Sequence, residues 1–245
     1  HVRCLDTFAD PAGILASGCA ETQYFADRRR KALGRLRALR AASRGLTALT
    51  SSAVEVVPHQ AAAAERVLHD AVQRYLLADE VGLGKTIEAG IIIRQILIDD
   101  PGRTVLLLVP GPLVEQWREE LERRFGISDF ADAVCIASHE ELNGPSTVLQ
   151  EPDLLVVDEA HNIVSAAGVV EEGLGARRLH ELARRSDKVL LLSATPPVGD
   201  EDRLLGLLNL LDPASHPLGD REGFRRKITE RQAIGRMLLP LHKRS

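Results

Sequence analysis

Five short apolar runs, four of them followed by an amphipathic stretch, constrain this chain more than any other feature. The runs at 74–78, 105–109, 134–137, 154–158 and 189–193 are rich in Val, Ile and Leu and have the length of strands buried on both faces. The stretches at 85–98, 113–125, 174–185 and 201–211 carry helical periodicity. Regular strand–helix alternation predicts an α/β fold, a mostly parallel sheet sandwiched by helices. Ligands of such sheets bind at the carboxyl ends of the strands. At 245 residues, 44% hydrophobic and 27% charged, the chain has the material for a sizeable core and is not a disordered one.

No apolar run is long enough to span a bilayer, since even 76–98 is broken by Asp79, Glu80, Lys85, Glu88 and Arg94. The expectation is a protein with no membrane partner. His1 stands first and no leader pattern follows it, which reads as a piece of a longer cytoplasmic polypeptide. Cys4, Cys19 and Cys135 form an odd set without a C-x-x-C pair, which suits neither a disulfide framework nor a zinc site.

Charge divides the chain. Residues 1–50 hold nine Lys/Arg against four Asp/Glu, whereas the remainder holds 22 against 31. The expected organisation is an accessory segment at 1–50 with a basic helix over 27–49, the main α/β lobe at 51–215, and a basic helical linker at 216–245. The basic helix has two readings: a solvated helix that packs its leucines on a neighbour, or an arm that meets phosphates or an acidic partner.

Three strand ends carry chemistry. The first is Leu77-Ala78-Asp79-Glu80-Val81-Gly82-Leu83-Gly84-Lys85-Thr86. Gly82 and Gly84 let the backbone curl its N–H groups inward, the helix opening at Lys85 adds its positive dipole end, and Lys85 reaches the β and γ phosphates. Thr86 offers a hydroxyl to Mg²⁺. The general phosphate-loop pattern has a glycine where this chain has Asp79. The second strand end is Asp158-Glu159-Ala160-His161, in which Asp158 is placed to hold Mg²⁺ through water and Glu159 to take a proton from the attacking water. The third is Ser193-Ala194-Thr195-Pro196, whose hydroxyls would share a rim with His161 and pass on the nucleotide state.

In this order and spacing the motifs resemble the first RecA-like lobe of a superfamily 2 helicase or translocase of the SNF2-like branch, over about residues 54–215. The loop Asp79-Glu80-x-Gly82-Leu83-Gly84-Lys85-Thr86 matches that branch, and the resemblance explains the missing first glycine. Its continuation Ile87-Glu88-Ala89-Gly90 is similar to bacterial SNF2 relatives, including RNA-polymerase-recycling ATPases and phage-defence helicases. The resemblance implies that Gln60 reads the adenine edge, which selects ATP, and that Pro110, Gln116 and Ser138 contact the tracked strand. Trp117, the sole tryptophan, reads as a packed helix residue ahead of a base-stacking platform. The family closes its site with arginines from a second RecA-like lobe, for which the roughly 30 residues after Asp212-Pro213 are too few.

The expected function is thus ATP binding and hydrolysis in a motor on duplex DNA, with RNA as the other candidate track and with RNA polymerase or defence-system proteins as partners. Isolated, the lobe should turn over slowly. A P-loop kinase lacks the combination of Asp158-Glu159-Ala160-His161 with Ser193-Ala194-Thr195. A nucleotide-gated scaffold without turnover has no need of Lys85, Thr86, Asp158 and Glu159 together.

Overall fold

A computed structural model describes residues 45–55, 57–78, 84–144, 151–164, 174–193 and 200–230. Almost all of the expected accessory segment and basic helix lies outside them, as do Gly82, Thr195, and residues 231–245 of the linker. Leu46–Ser245 form one compact unit.

Among the described residues five strands form one sheet: β1 (Arg74–Leu77), β2 (Val105–Val109), β3 (Val134–Ser138), β4 (Leu154–Val157) and β5 (Lys188–Leu192). Their order is β1-β5-β4-β2-β3 and every pairing is parallel. Each strand falls on a run expected from sequence, shifted by at most a residue at its ends. The helices are α1 (Thr47–Thr50), α2 (Pro58–His69), α3 (Lys85–Asp99), α4 (Val114–Phe125), α5 (Leu174–Arg185), α6 (Glu201–Leu211) and α7, residues 221–230. A 3-10 turn at Gly111–Leu113 takes the first residue expected of α4. Helix α2 has no counterpart among the expected elements. Pro58 at its start and the run Ala61–Ala64 are good helix formers, but its buried face is only Gln60, Ala64 and Val67.

Side chains alternate across a strand, and this alternation divides the core in two. Val105, Leu107, Val109, Leu154, Val156, Leu190 and Leu192 face one cluster with α2, α3 and α4. Leu106, Leu108, Leu155, Val157, Val189 and Leu191 face the other, with α5 and α6. Helix α4 enters the first cluster through Trp117, Leu121 and Phe125, spaced four residues apart on one face. Phe125 closes over α3 at Gly90, where a Cβ would fall on its ring. The glycine of Ile87-Glu88-Ala89-Gly90 therefore has a packing reason in this chain.

Two arginines join the layers. Arg94, buried on α3, donates to the carbonyls of Phe125 and Gly126 and to Ser51 Oγ. Arg74, on edge strand β1, donates from Nε to the carbonyl of Leu211 at 2.7 Å, from Nη1 to that of Ser186 at 3.0 Å, and from Nη2 to those of Ala183 at 2.6 Å and Leu210 at 3.2 Å. One guanidinium thus satisfies carbonyls at the carboxyl ends of both α5 and α6. In the stretch read as a linker, Phe224 is buried and Arg225 pairs with Glu201 and Asp202 at the start of α6.

Bonds from a charged donor contribute about 1.5–3 kcal/mol each, partly recovered when the freed carbonyls reach water. Arg74→Met should therefore lower unfolding stability by about 2–4 kcal/mol in a denaturant titration. A loss below about 0.5 kcal/mol, the range of ordinary surface substitutions, would deny Arg74 this role.

Candidate functional site

The carboxyl ends of the strands lie along one rim, and each sequence-predicted site residue within the described regions sits on it or on an element leaving it. Helix α3 begins there. Its N-cap, Gly84, has φ +94° and accepts at its carbonyl from the N–H groups of Ile87 at 2.8 Å and Glu88 at 3.1 Å. Left-handed backbone favours glycine, and the Gln60 side chain occupies the space a Cβ would need. Gln60 is itself buried, its Oε1 accepting from Val57 N–H at 3.3 Å. The amide read as an adenine contact thus lies against Gly84. Lys85 and Thr86 follow in the first turn of α3, where the positive end of the helix dipole favours an anion.

The acidic pair leaves the end of β4. Asp158 N–H donates to the Leu108 carbonyl at 2.8 Å, so the ladder with β2 continues past the last strand residue. The Asp158 side chain is buried and held twice: Oδ2 accepts from Trp117 Nε1 at 2.8 Å, and Oδ1 from Glu159 N–H at 2.9 Å. Burial pushes its carboxyl above the ordinary carboxylate range. The two N–H bonds and the nearby Lys85 charge pull it down, while Glu159 adds to the rise. Thr86 and Asp158 are hard oxygen donors, and Asp158 retains acceptor capacity on both oxygens. That donor set fits Mg²⁺, which binds through one or two protein groups, phosphates and water.

Glu159 has φ +46°, the one positive value outside glycine among the described residues. This reversal ends the strand and starts the 3-10 turn at Ala160–Asn162. Its Oε2 lies 3.2 Å from His161 Nδ1, which in turn lies 3.1 Å from Ser193 Oγ. Ser193 is fully buried and donates its N–H to the Leu77 carbonyl at 3.0 Å, where β1 ends. A polar chain Glu159–His161–Ser193 therefore links the acidic pair to the neighbouring strand ends. The expected approach of Ser193 to His161 is present in the fold.

Pro110 and Ser138 are brought together because Val109 pairs with Ser138 across β2 and β3. Gln116 is exposed on α4, directly before buried Trp117. Ser138 N–H donates to Glu141 Oε1 at 2.7 Å. Glu140 is held below the ordinary range by its own backbone N–H, the Ser138 hydroxyl and the Gly111 N–H. Two carboxylates thus stand beside residues read as phosphate contacts. Between Pro110, His139, Glu140, Asn143, Asn162 and Gly175 lies a cavity of about 370 Å³.

Two features escaped the sequence reading. The Trp117 packing role holds, but its bond to Asp158 was not foreseen, although a buried indole N–H generally finds an acceptor. His139 was not singled out. Burial depresses its imidazole, against the opposing influence of the backbone at Asp158 and Leu108. Burial depresses His180 likewise.

A depressed imidazole favours the neutral form in the folded state. Its stabilising contribution is fully present above the ordinary value of 6.5 and is lost as pH falls through the lower folded value. Denaturation midpoints should therefore fall as pH drops from about 7 towards 5, and less steeply in His139→Gln. Equal slopes in the two proteins would remove His139 from the acid sensitivity.

Residues 53–198 match the family described as type III restriction enzyme, res subunit. The chain is 37% identical over 189 residues to the RNA polymerase-associated protein RapA of Cronobacter sakazakii, covering 67% of this chain and 19% of that protein. It is 37% identical over 188 residues to RapA of Vibrio campbellii, covering 64% and 19%. The chain thus spans about a fifth of the length of these relatives. Among solved structures it is similar to the SWI2/SNF2 ATPase core of Sulfolobus solfataricus in complex with dsDNA, with a TM-score of 0.58 at 20% identity over 72% of this chain and 39% of that one. The Sulfolobus solfataricus SWI2/SNF2 ATPase core domain gives a TM-score of 0.56 at 21% identity, over 72% and 38%. By family match the chain belongs to the type III restriction enzyme res-subunit family, and its parallel sheet with covering helices has the RecA-like fold seen in the SWI2/SNF2 ATPase core.

Proposed function

We propose that this lobe binds and hydrolyses Mg²⁺-ATP in a motor that moves along duplex DNA and displaces or remodels protein bound to it. The observation that carries the reading is the placement of Lys85, at the start of α3, near the buried Asp158, which Glu159 directly follows at the end of β4. Lys85 and the first turn of α3 hold the phosphates, Thr86 and Asp158 hold the metal, and Gln60 selects adenine. Bound there, Mg²⁺ supplies charge neutralisation at the phosphates. Glu159 is the group that accepts the proton of the attacking water, and its carboxylate is oriented by His161. Through His161 and Ser193 the state of that carboxylate reaches the ends of β5 and β1.

Pro110, Gln116 and Ser138 lie where a tracked strand would pass, and the likeness to a core solved with dsDNA supports duplex DNA as the track. Glu140 and Glu141 beside Ser138 make this lobe alone a weak binder of phosphate. The reading therefore requires a second RecA-like lobe, which contributes arginines to the γ phosphate and shares the grip on DNA. Among partners, RNA polymerase is favoured, because the relatives named above are described as RNA polymerase-associated. A defence setting rests on motif resemblance alone.

Steady-state ATP hydrolysis by the two-lobed protein, with duplex DNA, single-stranded DNA, RNA or RNA polymerase added and Lys85→Ala as the blank, tests the function. Stimulation by duplex DNA is expected, and turnover indifferent to every nucleic acid would overturn the motor reading. Glu159→Gln should retain ATP binding while kcat falls about 10²–10⁴-fold. Unchanged kcat would remove Glu159 as the base.

A further inference from the structure

Trp117 is the sole tryptophan of the chain, and its buried indole meets the carboxylate assigned to the metal. Packing alone does not demand an indole there. The buried face of α4 runs Trp117, Leu121, Phe125, and its last position is filled by a phenylalanine that offers no N–H. At Trp117 the same face presents a donor, and that donor reaches Asp158 Oδ2 at 2.8 Å across 41 residues of sequence. The other bond to this carboxylate comes from the next residue, Glu159, and moves with Asp158 itself. Among these two bonds, only Trp117 ties the carboxylate to a different element.

Accepting that Asp158 holds Mg²⁺, as proposed above, we infer that Trp117 is its positioning residue. The indole N–H fixes the orientation of the carboxylate for the metal and couples metal affinity to the position of α4. The physical basis is general: a charge-assisted bond to a ligating carboxylate restricts its rotation, and loss of such a partner typically lowers metal affinity about 10–100-fold. Gln116, the adjacent residue, is exposed on the surface assigned to the tracked strand. One rigid helix thus carries a track contact and the holder of the metal ligand on successive residues, so a displacement of α4 by the track would be felt at Asp158.

Two measurements on the 245-residue chain test this. Tryptophan emission has a single source here and is followed as MgCl₂ is added to the ADP-bound chain. A saturable change is expected, and it should vanish in Asp158→Asn. ADP affinity is then measured by calorimetry across a Mg²⁺ series and in EDTA. Trp117→Phe should raise the half-saturating Mg²⁺ concentration about tenfold or more while leaving affinity in EDTA within twofold. Equal loss of affinity with and without Mg²⁺ would make Trp117 a packing residue only and overturn the inference. So would unsubstituted emission that ignores Mg²⁺. If Asp158→Asn keeps the original Mg²⁺ dependence, the metal assignment fails and this inference with it. If Asp158→Asn loses that dependence and Trp117→Phe does not, the inference alone fails.

Discussion

Burial of the central strands on both faces is the constraint on which everything else in this lobe depends. Every residue of β2 and β4, and all of β5 after Lys188, is buried. A sheet of this kind must be covered by helices on both sides. Parallel pairing then sends every strand in one direction and gathers the loops that leave them on a single rim. The start of α3, the acidic pair Asp158-Glu159, Ser193, and the loops bearing Pro110 and Ser138 are neighbours for that reason. Arg74, with one guanidinium on carbonyls of two helix ends, fastens the covering layer beside the edge strand.

On that rim Asp158 is where opposing electrostatic influences meet. Its burial disfavours charge, whereas Trp117, the Glu159 N–H and Lys85 favour it. A cation there would shift that balance further towards the carboxylate, which is the condition a nucleotide-bound metal requires. Beyond Asp158, the left-handed turn at Glu159 directs the next carboxylate to His161, and His161 to Ser193. Under the proposed function, changes at a bound nucleotide would have a hydrogen-bonded route from the end of β4 to the ends of β5 and β1, and a second route through the indole into α4.

Much of this was legible in the residues because the relevant signals are local. Doubly buried strands read as continuous apolar runs, and all five were found within a residue of their ends. The Lys85-Thr86 and Asp158-Glu159 pairs declare themselves by their place at strand ends, and the approach of Ser193 to His161 followed from adjacent strands. Helix α2 was missed because alanines fill much of it, leaving little contrast between its buried and exposed faces. The bonds of Trp117 to Asp158 and of Arg74 to α5 and α6 join elements far apart in sequence. No local pattern carries such contacts, since they arise only when the layers assemble. Glu140 and Glu141 beside Ser138 were absent from the sequence reading, and the proximity of Glu140 to Gly111 depends on the register of β2 with β3.

The most direct test of the central claim is a crystal structure of the chain with Mg²⁺ and a non-hydrolysable ATP analogue. The expected result has the triphosphate against the first turn of α3, the metal between its oxygens and the Thr86 and Asp158 side chains, and the Trp117 N–H still on Asp158 Oδ2. A nucleotide bound elsewhere on the surface, or a metal held without Asp158, would contradict it.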